Sequence, residues 1–480
     1  MTLNWIFFIL ISGWSLFFSE GKKEKESPQT GPPSIIFFLV DDLGWKDLGC
    51  YGSSFYDTPN LDALAQQGVL FTDAYAACPV CSPTRAAIMT GKHPVRINIT
   101  DWIPGMPAER AEDPKLKPPE DIHNMPLAEI TLAEALKEKG YKTFFAGKWH
   151  LGETSGFWPE YQGFDINKGG HDKGSPPGGY YSPYHNPRLE DGPECEYLTD
   201  RLAEESMAFM DALDGEPFLL YLAFYNVHTP IQGCSAYDDL YLEKKEKLPD
   251  RGEPITRIEH RGETRLNQSD PKYAAMVRSV DENTGRILKR AQELGLMENT
   301  IVIFTSDNGG LTTRRNFGPT SVVPLRAGKG WCYEGGIRIP LIVKAPGVQG
   351  GKQCGYPVTS MDHYPTLLEL AGFPLKEQQH ADGTSYLPWL DDPEKSFDRT
   401  LIWHYPHYHG STWRPGSAIR INQWKLIEFY EEGKVELYHL EEDPGEQTDL
   451  SMKYPEKANA MKKKMHRYID LRGGRYPERK

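Results

Sequence analysis

Acidic and amide side chains follow two apolar segments that lie far apart in the sequence. One segment is Ser34–Val40, and the other covers residues 300–305. The polar residues that follow them are Asp41, Asp42, Asp307 and Asn308. Such apolar runs are typical of buried parallel strands, and open α/β sheets bind ligands at the carboxyl ends of their strands. These oxygen ligands suit calcium or magnesium better than zinc, although each residue taken singly could also cap a strand or occupy a turn.

A cysteine stands directly before a predicted helix. Ser82 is a good N-cap and Pro83 fits the first helical position, so a helix is predicted from here toward Gly91. Cys81 would then lie at the positive end of the helix dipole, where anions bind and the charge of a nucleophile is stabilised. The local pattern leaves two alternatives open, because Cys81 could belong to a disulfide or form a redox pair with Cys78.

Cationic and imidazole side chains occur after further predicted strands, beside glycines and at the predicted helix start. These residues are Arg85, Lys148, His150, His228 and Lys329. Lysine and arginine are usually solvated, and a lone histidine beside a strand is more often a packing residue. In a cleft, however, cations stabilise negative charge on oxygen, and histidine carries protons near neutral pH. The choice depends on whether the fold brings these residues together.

Strand and helix patterns alternate from Ser34 to about residue 390. Further strands are predicted at residues 142–146, 218–224 and 340–344. Helices are predicted at residues 60–67, 131–138, 199–213, 273–294 and 364–371. This alternation predicts an α/β fold with a large mixed, mostly parallel sheet sandwiched by helices.

The pattern changes after residues 391–393. Short strands are predicted at residues 400–403, 417–421, 424–430 and 435–443, followed by a helix at residues 455–470. A small C-terminal antiparallel sheet plus one helix fits this pattern. We therefore predict a catalytic domain at residues 34–390 and a C-terminal subdomain at residues 391–480. Three long connections, at residues 103–126, 169–193 and 232–267, are candidates for functional or mobile loops.

The N-terminal segment predicts export. Residues 5–18 are almost wholly apolar, and a polar stretch then leads to Pro32-Pro33. The apolar run is short for a membrane span and is typical of a signal peptide, although it lacks a preceding Lys or Arg and an uncleaved anchor is the alternative. We predict a signal peptide at residues 1–21, a linker at residues 22–33, no stable membrane span, and a secreted or periplasmic location. An odd count of seven cysteines leaves at least one unpaired, and Cys81 is the candidate.

The overall charge excludes one class of function. A formal net charge of -13 argues against binding to duplex nucleic acid, because such proteins need a basic surface to neutralise phosphates. It does not exclude an anionic substrate, since a local cluster of cations can dominate the field inside a cleft.

Several motifs together resemble the signature of one enzyme family. Cys81, Pro83 and Arg85 form a C-x-P-x-R motif that is followed by Thr90-Gly91. The other motifs are Asp41-Asp42, GKWHLG at residues 147–152, HTP at residues 228–230, SDNG at residues 306–309, and KG at residues 329–330 followed by EGG at residues 334–336. Their types and order resemble the type I, formylglycine-dependent sulfatases, an arylsulfatase-like family of the alkaline-phosphatase-like superfamily.

The resemblance implies two cofactors. Cys81 would be oxidised to formylglycine (3-oxoalanine) by a formylglycine-generating or sulfatase-maturating enzyme. One calcium ion (Ca²⁺) would be held by residue 81 together with Asp41, Asp42, Asp307 and Asn308.

The resemblance also implies roles for the remaining residues. Lys148 and Lys329 would hold sulfate oxygens, and Arg85 would orient the formylglycine. A hydroxyl of the hydrated aldehyde would attack sulfur while His228, which also contacts the substrate, protonates the leaving alcohol. His150 would then assist removal of the proton from the second hydroxyl, so that sulfate departs.

The substrate is predicted from the C-terminal subdomain, which lines the cleft in similar enzymes. His407 and His409 lie in an aromatic, histidine-rich stretch that could bind a sugar or could be an ordinary loop. We predict an exo-acting sulfatase for a sulfated carbohydrate. One alternative is a phosphomonoester or phosphodiester hydrolase of the same superfamily, which Asn308 disfavours because two-metal sites need a histidine there. The other is an inactive protein that binds sulfated glycans, which the retained catalytic residue types disfavour.

Overall fold

The computed structural model of the protein describes residues 1–2, 31–250 and 252–480. The predicted signal peptide at residues 1–21 and linker at residues 22–33 lie outside the described residues except at their ends, so both stay predictions. Residues Gly31–Lys480 form one compact unit. In the part of the chain that the structure describes, no helix has the length and apolar character needed to cross a membrane.

Strands occur along the whole of this unit. The first nine are β1 (Ser34–Val40), β2 (Val69–Tyr75), β3 (Leu116–Lys117), β4 (Lys142–Gly147), β5 (Ile166–Lys168), β6 (Phe218–Ala223), β7 (Thr256–Glu259), β8 (Gly262–Arg265) and β9 (Thr300–Ser306). The later strands are β10 (Thr313–Arg314), β11 (Arg338–Lys344), β12 (Lys352–Cys354), β13 (Val358–Thr359), β14 (Thr400–Tyr405), β15 (Gly416–Ile421), β16 (Trp424–Phe429), β17 (Lys434–His439) and β18 (Glu478–Arg479).

A large mixed sheet forms the centre of the molecule. Its strand order is β12-β2-β11-β9-β1-β6-β4-β5, and β13 also pairs with β2. The strands from β9 to β5 run parallel to one another, whereas β11 is antiparallel to both β9 and β2. Strand β1 is buried along its whole length, as its uninterrupted apolar sequence requires. The predicted mixed, mostly parallel sheet is confirmed.

Helices cover both faces of this sheet. The α-helices of the described chain are α1 (Pro59–Gln67), α2 (Cys81–Thr90), α3 (Pro94–Ile97), α4 (Leu132–Lys137), α5 (Leu198–Asp211), α6 (Asp238–Glu246), α7 (Pro271–Glu293), α8 (Glu334–Ile337), α9 (His363–Leu370), α10 (Leu387–Asp391) and α11 (Pro455–Asp470). Alternate side chains of β1 enter two separate cores, with Phe38 in one and Phe37 in the other. The first core contains residues of α1, α5 and α7, and the second contains residues of α2, α4 and α9.

The C-terminal segment forms an antiparallel sheet with the order β14-β15-β16-β17. Helix α11 packs against one face of this sheet through a cluster that includes Met461 and Met465. The predicted small sheet plus helix is therefore confirmed, whereas the boundary at residue 390 stays a prediction. All seven cysteines carry free thiols, so none of the disulfides that the sequence left open is formed.

Candidate active site

The register of four neighbouring parallel strands brings their carboxyl ends to one place. Val40 of β1 pairs with Ser306 of β9, while Ala223 of β6 pairs with both Leu39 and Gly147. The segments that follow these strands carry the predicted site residues Asp41, Asp42, Lys148, His150, His228, Asp307 and Asn308. Parallel pairing in this register explains how residues from four distant segments converge.

Two lysines are buried against the aspartates that follow β1. Lys148 Nζ lies 2.6 Å from Oδ2 of Asp41, and Lys329 Nζ lies 2.5 Å from Oδ1 of Asp42. Burial raises the pKa of Asp41 to about 8, although the Lys148 ammonium opposes that shift. Burial acts in the same direction on Asp42, but the Lys329 ammonium and His228 outweigh it and hold the pKa of Asp42 below its ordinary value. These lysines are therefore site residues and not solvated surface charges.

Arg85 joins helix α2 to the ends of β9 and β4. Its Nε donates to Oδ2 of Asp307 at 2.8 Å, and its Nη1 donates to the backbone oxygen of Lys148 at 2.6 Å. Arg85 lies one turn after Cys81 on the same helix face. The guanidinium thus fixes the position of the helix start relative to the strand ends.

Helix α2 begins at Cys81 itself. Val80 is the N-cap and provides no side-chain hydrogen bond, so the prediction of Ser82 as N-cap is wrong by two residues. The hydroxyl of Ser82 instead accepts a hydrogen bond from the backbone nitrogen of Ile103. Cys81 is buried, and burial raises the pKa of its thiol. The free thiols of Cys78 and Cys81 exclude the disulfide interpretation in this structure.

The two predicted catalytic histidines flank this cysteine and the aspartates. Nδ1 of His150 lies 3.4 Å from Sγ of Cys81, and its Nε2 donates to the backbone oxygen of Ile103. With the proton on Nε2, the lone pair of Nδ1 faces residue 81. Nδ1 of His228 donates to the backbone oxygen of Thr229 at 2.9 Å, and its Nε2 lies 3.8 Å from Asp42.

Burial keeps both imidazoles neutral. It lowers the pKa of His228 to about 3, with a further contribution from Lys329. It also lowers the pKa of His150 well below the ordinary value, assisted by the Lys148 ammonium. In the absence of an anionic ligand, both side chains therefore act as uncharged hydrogen-bonding groups at neutral pH.

Two buried oxygen atoms at the strand ends test whether a metal ion fits. Oδ1 of Asp41 and Oδ1 of Asn308 have no hydrogen-bond partner among the described residues, although buried polar atoms are almost always paired. Asp41, Asp42 and His228 each offer a ligand atom within 4.8 Å of the others. The amide nitrogen of Asn308 also lies 2.8 Å from Asp42. Unpaired carboxylate and amide oxygens beside further carboxylates fit a hard divalent cation.

A cleft of about 590 Å³ opens above these residues. Of the predicted site residues, it is lined by Asp42, Cys81, His150, His228, Lys329 and His409. His407 does not line it, contrary to the prediction of a substrate contact. That side chain is only 4% exposed, and its Nε2 lies 2.8 Å from Oγ1 of Thr100. His407 is therefore buried against the segment that carries Thr100 and does not face the cleft.

Sequence reasoning missed several residues of the cleft wall. They are Trp102, Arg110, Glu153, Asp172, Lys173 and Arg314. Trp102 lies next to one long connection and Arg110 lies within it, while Asp172 and Lys173 lie within another. The length of these connections was the available signal, but length does not identify which side chains face inward.

Comparison with known proteins gives consistent matches over almost the whole described unit. The Sulfatase family model matches residues 33–373, and the model of the N-sulphoglucosamine sulphohydrolase C-terminal region matches residues 327–472. Human arylsulfatase A is 33% identical over 473 residues, which cover 87% of this chain and 83% of that protein. Human N-acetylgalactosamine-6-sulfatase is 30% identical over 476 residues, with coverage of 90% and 84%. A solved structure of Ps i-CgsB in complex with k-i-k-neocarrahexaose has a TM-score of 0.73 at 29% identity, and the match covers 91% of this chain and 93% of that one.

Proposed function

The chain belongs to the sulfatase family of sulfuric ester hydrolases, with the alkaline-phosphatase-like fold, and from that premise we propose an exo-acting carbohydrate sulfatase that uses a formylglycine made from Cys81 and one calcium ion. One observation carries the proposal. Cys81 at a helix start, Asp42 and the buried Lys329 line a single cleft, and Asp41 and Asn308 beside Asp42 each carry an unpaired buried oxygen. The signal-peptide pattern at residues 1–21 supports a secreted or periplasmic location.

The environment of Cys81 supports its conversion. Burial raises the pKa of the thiol, so the side chain is protonated at neutral pH, and a protonated thiol is a weak nucleophile. An aldehyde at this position would supply, as its hydrate, one hydroxyl that attacks sulfur and a second whose proton loss releases the sulfate. Nδ1 of His150 faces residue 81 and is placed to accept that proton.

The charge balance of the site supports a divalent ion. Asp41, Asp42 and Asp307 are each paired with a cationic side chain, which is Lys148, Lys329 or Arg85 respectively, and a bound divalent ion would keep Asp41 ionised despite its raised pKa. The three ion pairs have no net charge, so a bound Ca²⁺ would give the site a net charge of about +2, which favours an anionic substrate. When bound, the ion would polarise the sulfate and the oxygen of residue 81. Asp41, Asp42, Asp307 and Asn308 would hold it.

The remaining residues position the sulfate and the leaving group. Lys148 and Lys329 place two ammonium groups beside the proposed metal ligands, where they can stabilise charge on the sulfate oxygens. His228 is held by the carbonyl of Thr229 and directs Nε2 toward Asp42. An anionic sulfate nearby would raise the proton affinity of that nitrogen, which suits His228 for protonating the leaving alcohol.

The cleft and the relatives support a sulfated sugar as substrate. A volume of about 590 Å³ is within the range of small-molecule sites and accommodates the end of a saccharide chain. One relative is named for N-acetylgalactosamine 6-sulfate, and the solved neighbour binds a neocarrahexaose. His409 remains a proposed substrate contact because it lines the cleft.

Intact-protein mass and sulfate release test the proposal together. Protein produced with a maturating enzyme should be lighter by about 18 Da, because one oxygen replaces the thiol sulfur and two hydrogens. The converted protein should release sulfate from members of a panel of defined sulfated saccharides, and Cys81→Ala should show neither the mass change nor activity. Converted protein that binds these saccharides without releasing sulfate would support the glycan-binding alternative. Faster release of phosphate from matched phosphoesters would support the alternative of a phosphomonoester or phosphodiester hydrolase.

A further inference from the structure

A group of arginines extends the catalytic cleft to one side. Arg110 and Arg314 line the cleft itself. A smaller cavity of about 60 Å³ adjoins it and is lined by Arg110, Arg261 and Arg315. The two cavities share lining residues, including Arg110 and His409, so they lie side by side. We refer to Arg110, Arg261, Arg314 and Arg315 as the basic extension.

His409 connects the basic extension to the catalytic lysine. A β-carbon placed on Gly330, the residue after Lys329, would lie 2.1 Å from Nδ1 of His409, so the backbone here is in close contact with that ring. Burial lowers the pKa of His409 to about 3; Lys329 and Arg314 contribute to the shift, whereas Asp42 opposes it. The uncharged ring of His409 therefore lies between the Lys329–Asp42 ion pair and the guanidinium of Arg314.

No carboxylate of the described residues lies within ion-pair distance of the basic extension, although Glu263 is the cross-strand partner of Arg314 and Glu112 lines the smaller cavity. The ion pairs of the described residues leave Arg110, Arg314 and Arg315 without a carboxylate within 4.0 Å, and Arg261 donates only to the backbone oxygen of Glu112. By contrast, the cleft carboxylates Glu153 and Asp172 already face His123 and Lys173. The four arginine side chains are exposed, so their guanidinium groups are free to contact an anionic group of a ligand in the cleft.

We propose that the basic extension binds a second anionic group, a sulfate or a carboxylate, on the sugar next to the one that loses its sulfate. The guanidinium fork matches the oxygens of either group with paired hydrogen bonds. The preferred substrates are then saccharides with at least two negative charges. This inference rests on the proposed sulfatase function and narrows its substrate class.

Steady-state kinetics on three matched disaccharides test the inference. Each carries the same scissile sulfate, and the neighbouring sugar is neutral, sulfated or carboxylated. The converted wild-type enzyme should have a KM about tenfold lower for a doubly charged substrate, as expected for one charge-assisted contact at a partly exposed site. Arg110→Gln and Arg314→Gln should each remove most of this preference. Arg467→Gln, a change at an exposed arginine of α11, should leave it intact. The charged substrate with the lower KM identifies the group that is recognised.

Binding to an inactive variant separates this inference from the proposed function. In Cys81→Ala protein, the added Arg314→Gln change should weaken binding of the disulfated disaccharide about tenfold, with little effect on the monosulfated one. If this selective loss of binding is seen but the wild-type enzyme releases no sulfate, the basic extension is supported as an anion site and the sulfatase proposal is rejected. Two outcomes would overturn the inference and leave the sulfatase proposal standing. One is sulfate release with the same KM whether the neighbouring sugar is neutral or charged, and the other is an equal effect of Arg314→Gln on binding of the disulfated and the monosulfated disaccharide.

Discussion

Asn308 and Asp41 each leave a buried oxygen without a hydrogen-bond partner in the described structure, at the ends of adjacent strands. Leaving such an atom unpaired costs about 1–3 kcal/mol, so a structure retains it only where a ligand or a functional need compensates. The neighbouring Asp42 is paired with Lys329 and accepts from the Asn308 amide. The unpaired oxygens therefore mark where the proposed ion would gain its ligands.

Calcium should stabilise the wild-type protein, and Asn308→Ala should weaken that effect. A ligand that binds only the folded state raises the melting temperature in proportion to the logarithm of its concentration. Removing one of the oxygen ligands should raise the calcium concentration needed for half-maximal stabilisation by at least about tenfold. Differential scanning fluorimetry across a calcium titration, after EDTA treatment, measures this. Asn459→Ala, at an exposed asparagine of α11, is the matched control. A melting temperature that does not change with calcium concentration would contradict the proposed calcium site.

His407 and His409 show how far residue types alone can predict a site. Both follow β14 in one aromatic loop, two positions apart, and the sequence therefore predicts both equally as substrate contacts. In the structure, His409 lines the cleft while His407 packs against Thr100. The difference arises because His407 contacts Thr100, 307 positions earlier in the chain, and the local sequence around His407 does not indicate such a distant contact. Most of the other site residues were predictable because they belong to motifs that follow a recognisable strand or begin a helix. Lys329 lies in the loop between β10 and α8 and was predictable only through the family motif.

Element prediction succeeded where burial made the pattern uniform. Strands β1 and β9 are continuous apolar runs, because both of their faces are covered in the parallel part of the sheet. Strand β2 was not predicted from the sequence, because Thr72 and Asp73 interrupt its apolar residues. Asp73 forms an ion pair with Arg420 of β15, so its polarity has a tertiary cause. Such a strand is recognisable only once its partner is known.

A buried ion cluster joins the C-terminal sheet to the catalytic part of the molecule. Lys425 of β16 places Nζ 2.8 Å from Glu334, at the start of α8, and 2.8 Å from Glu446. All three side chains are fully buried, and burial raises the pKa of Glu446 to about 7. Because α8 follows the loop that carries Lys329, this cluster also supports the position of that proposed catalytic lysine.

Lys425→Met should destabilise the protein by about 3–5 kcal/mol at neutral pH, because it leaves the buried Glu446 without a cation and leaves Glu334 with only Arg338, at 3.7 Å. Urea unfolding followed by fluorescence measures the free energy of unfolding. The loss should shrink as the pH falls below about 7, the pKa of Glu446, since protonation then removes uncompensated charge.

Lys434→Met is the matched control for this change. Lys434 pairs with Glu436 at 2.7 Å, but the Lys434 side chain is 56% exposed, and Glu436 keeps its hydrogen bonds from Tyr333 and Tyr438, so we expect a loss of less than about 1 kcal/mol. Equal losses for the two variants would show that the buried cluster has no special role.

At the scale of the whole molecule, the predicted catalytic domain and C-terminal subdomain share one aromatic core. Its members include Tyr75, Trp331 and Tyr333 from residues 34–390, and Trp403, Trp413 and Phe429 from residues 391–480. Hydrogen bonds cross the same boundary, because Trp403 donates to the backbone oxygen of Ala76 and Trp331 donates to that of Ser411. Loop residues 409–411 also form part of the cleft wall. Stability and the substrate site therefore both depend on contacts across residue 390.

A fragment that ends at residue 390 should consequently fail to fold on its own. Removing residues 391–480 would expose the large aromatic side chains of Trp331, Tyr333 and Tyr75, each of which contributes several kcal/mol when buried. We expect the fragment to lack near-ultraviolet circular dichroism and to release no sulfate, and we expect the full-length protein to unfold in one calorimetric transition. Two separate transitions, or a soluble fragment with a native near-ultraviolet spectrum, would instead show that residues 34–390 are an independent folding unit to which the C-terminal sheet only adds part of the cleft wall.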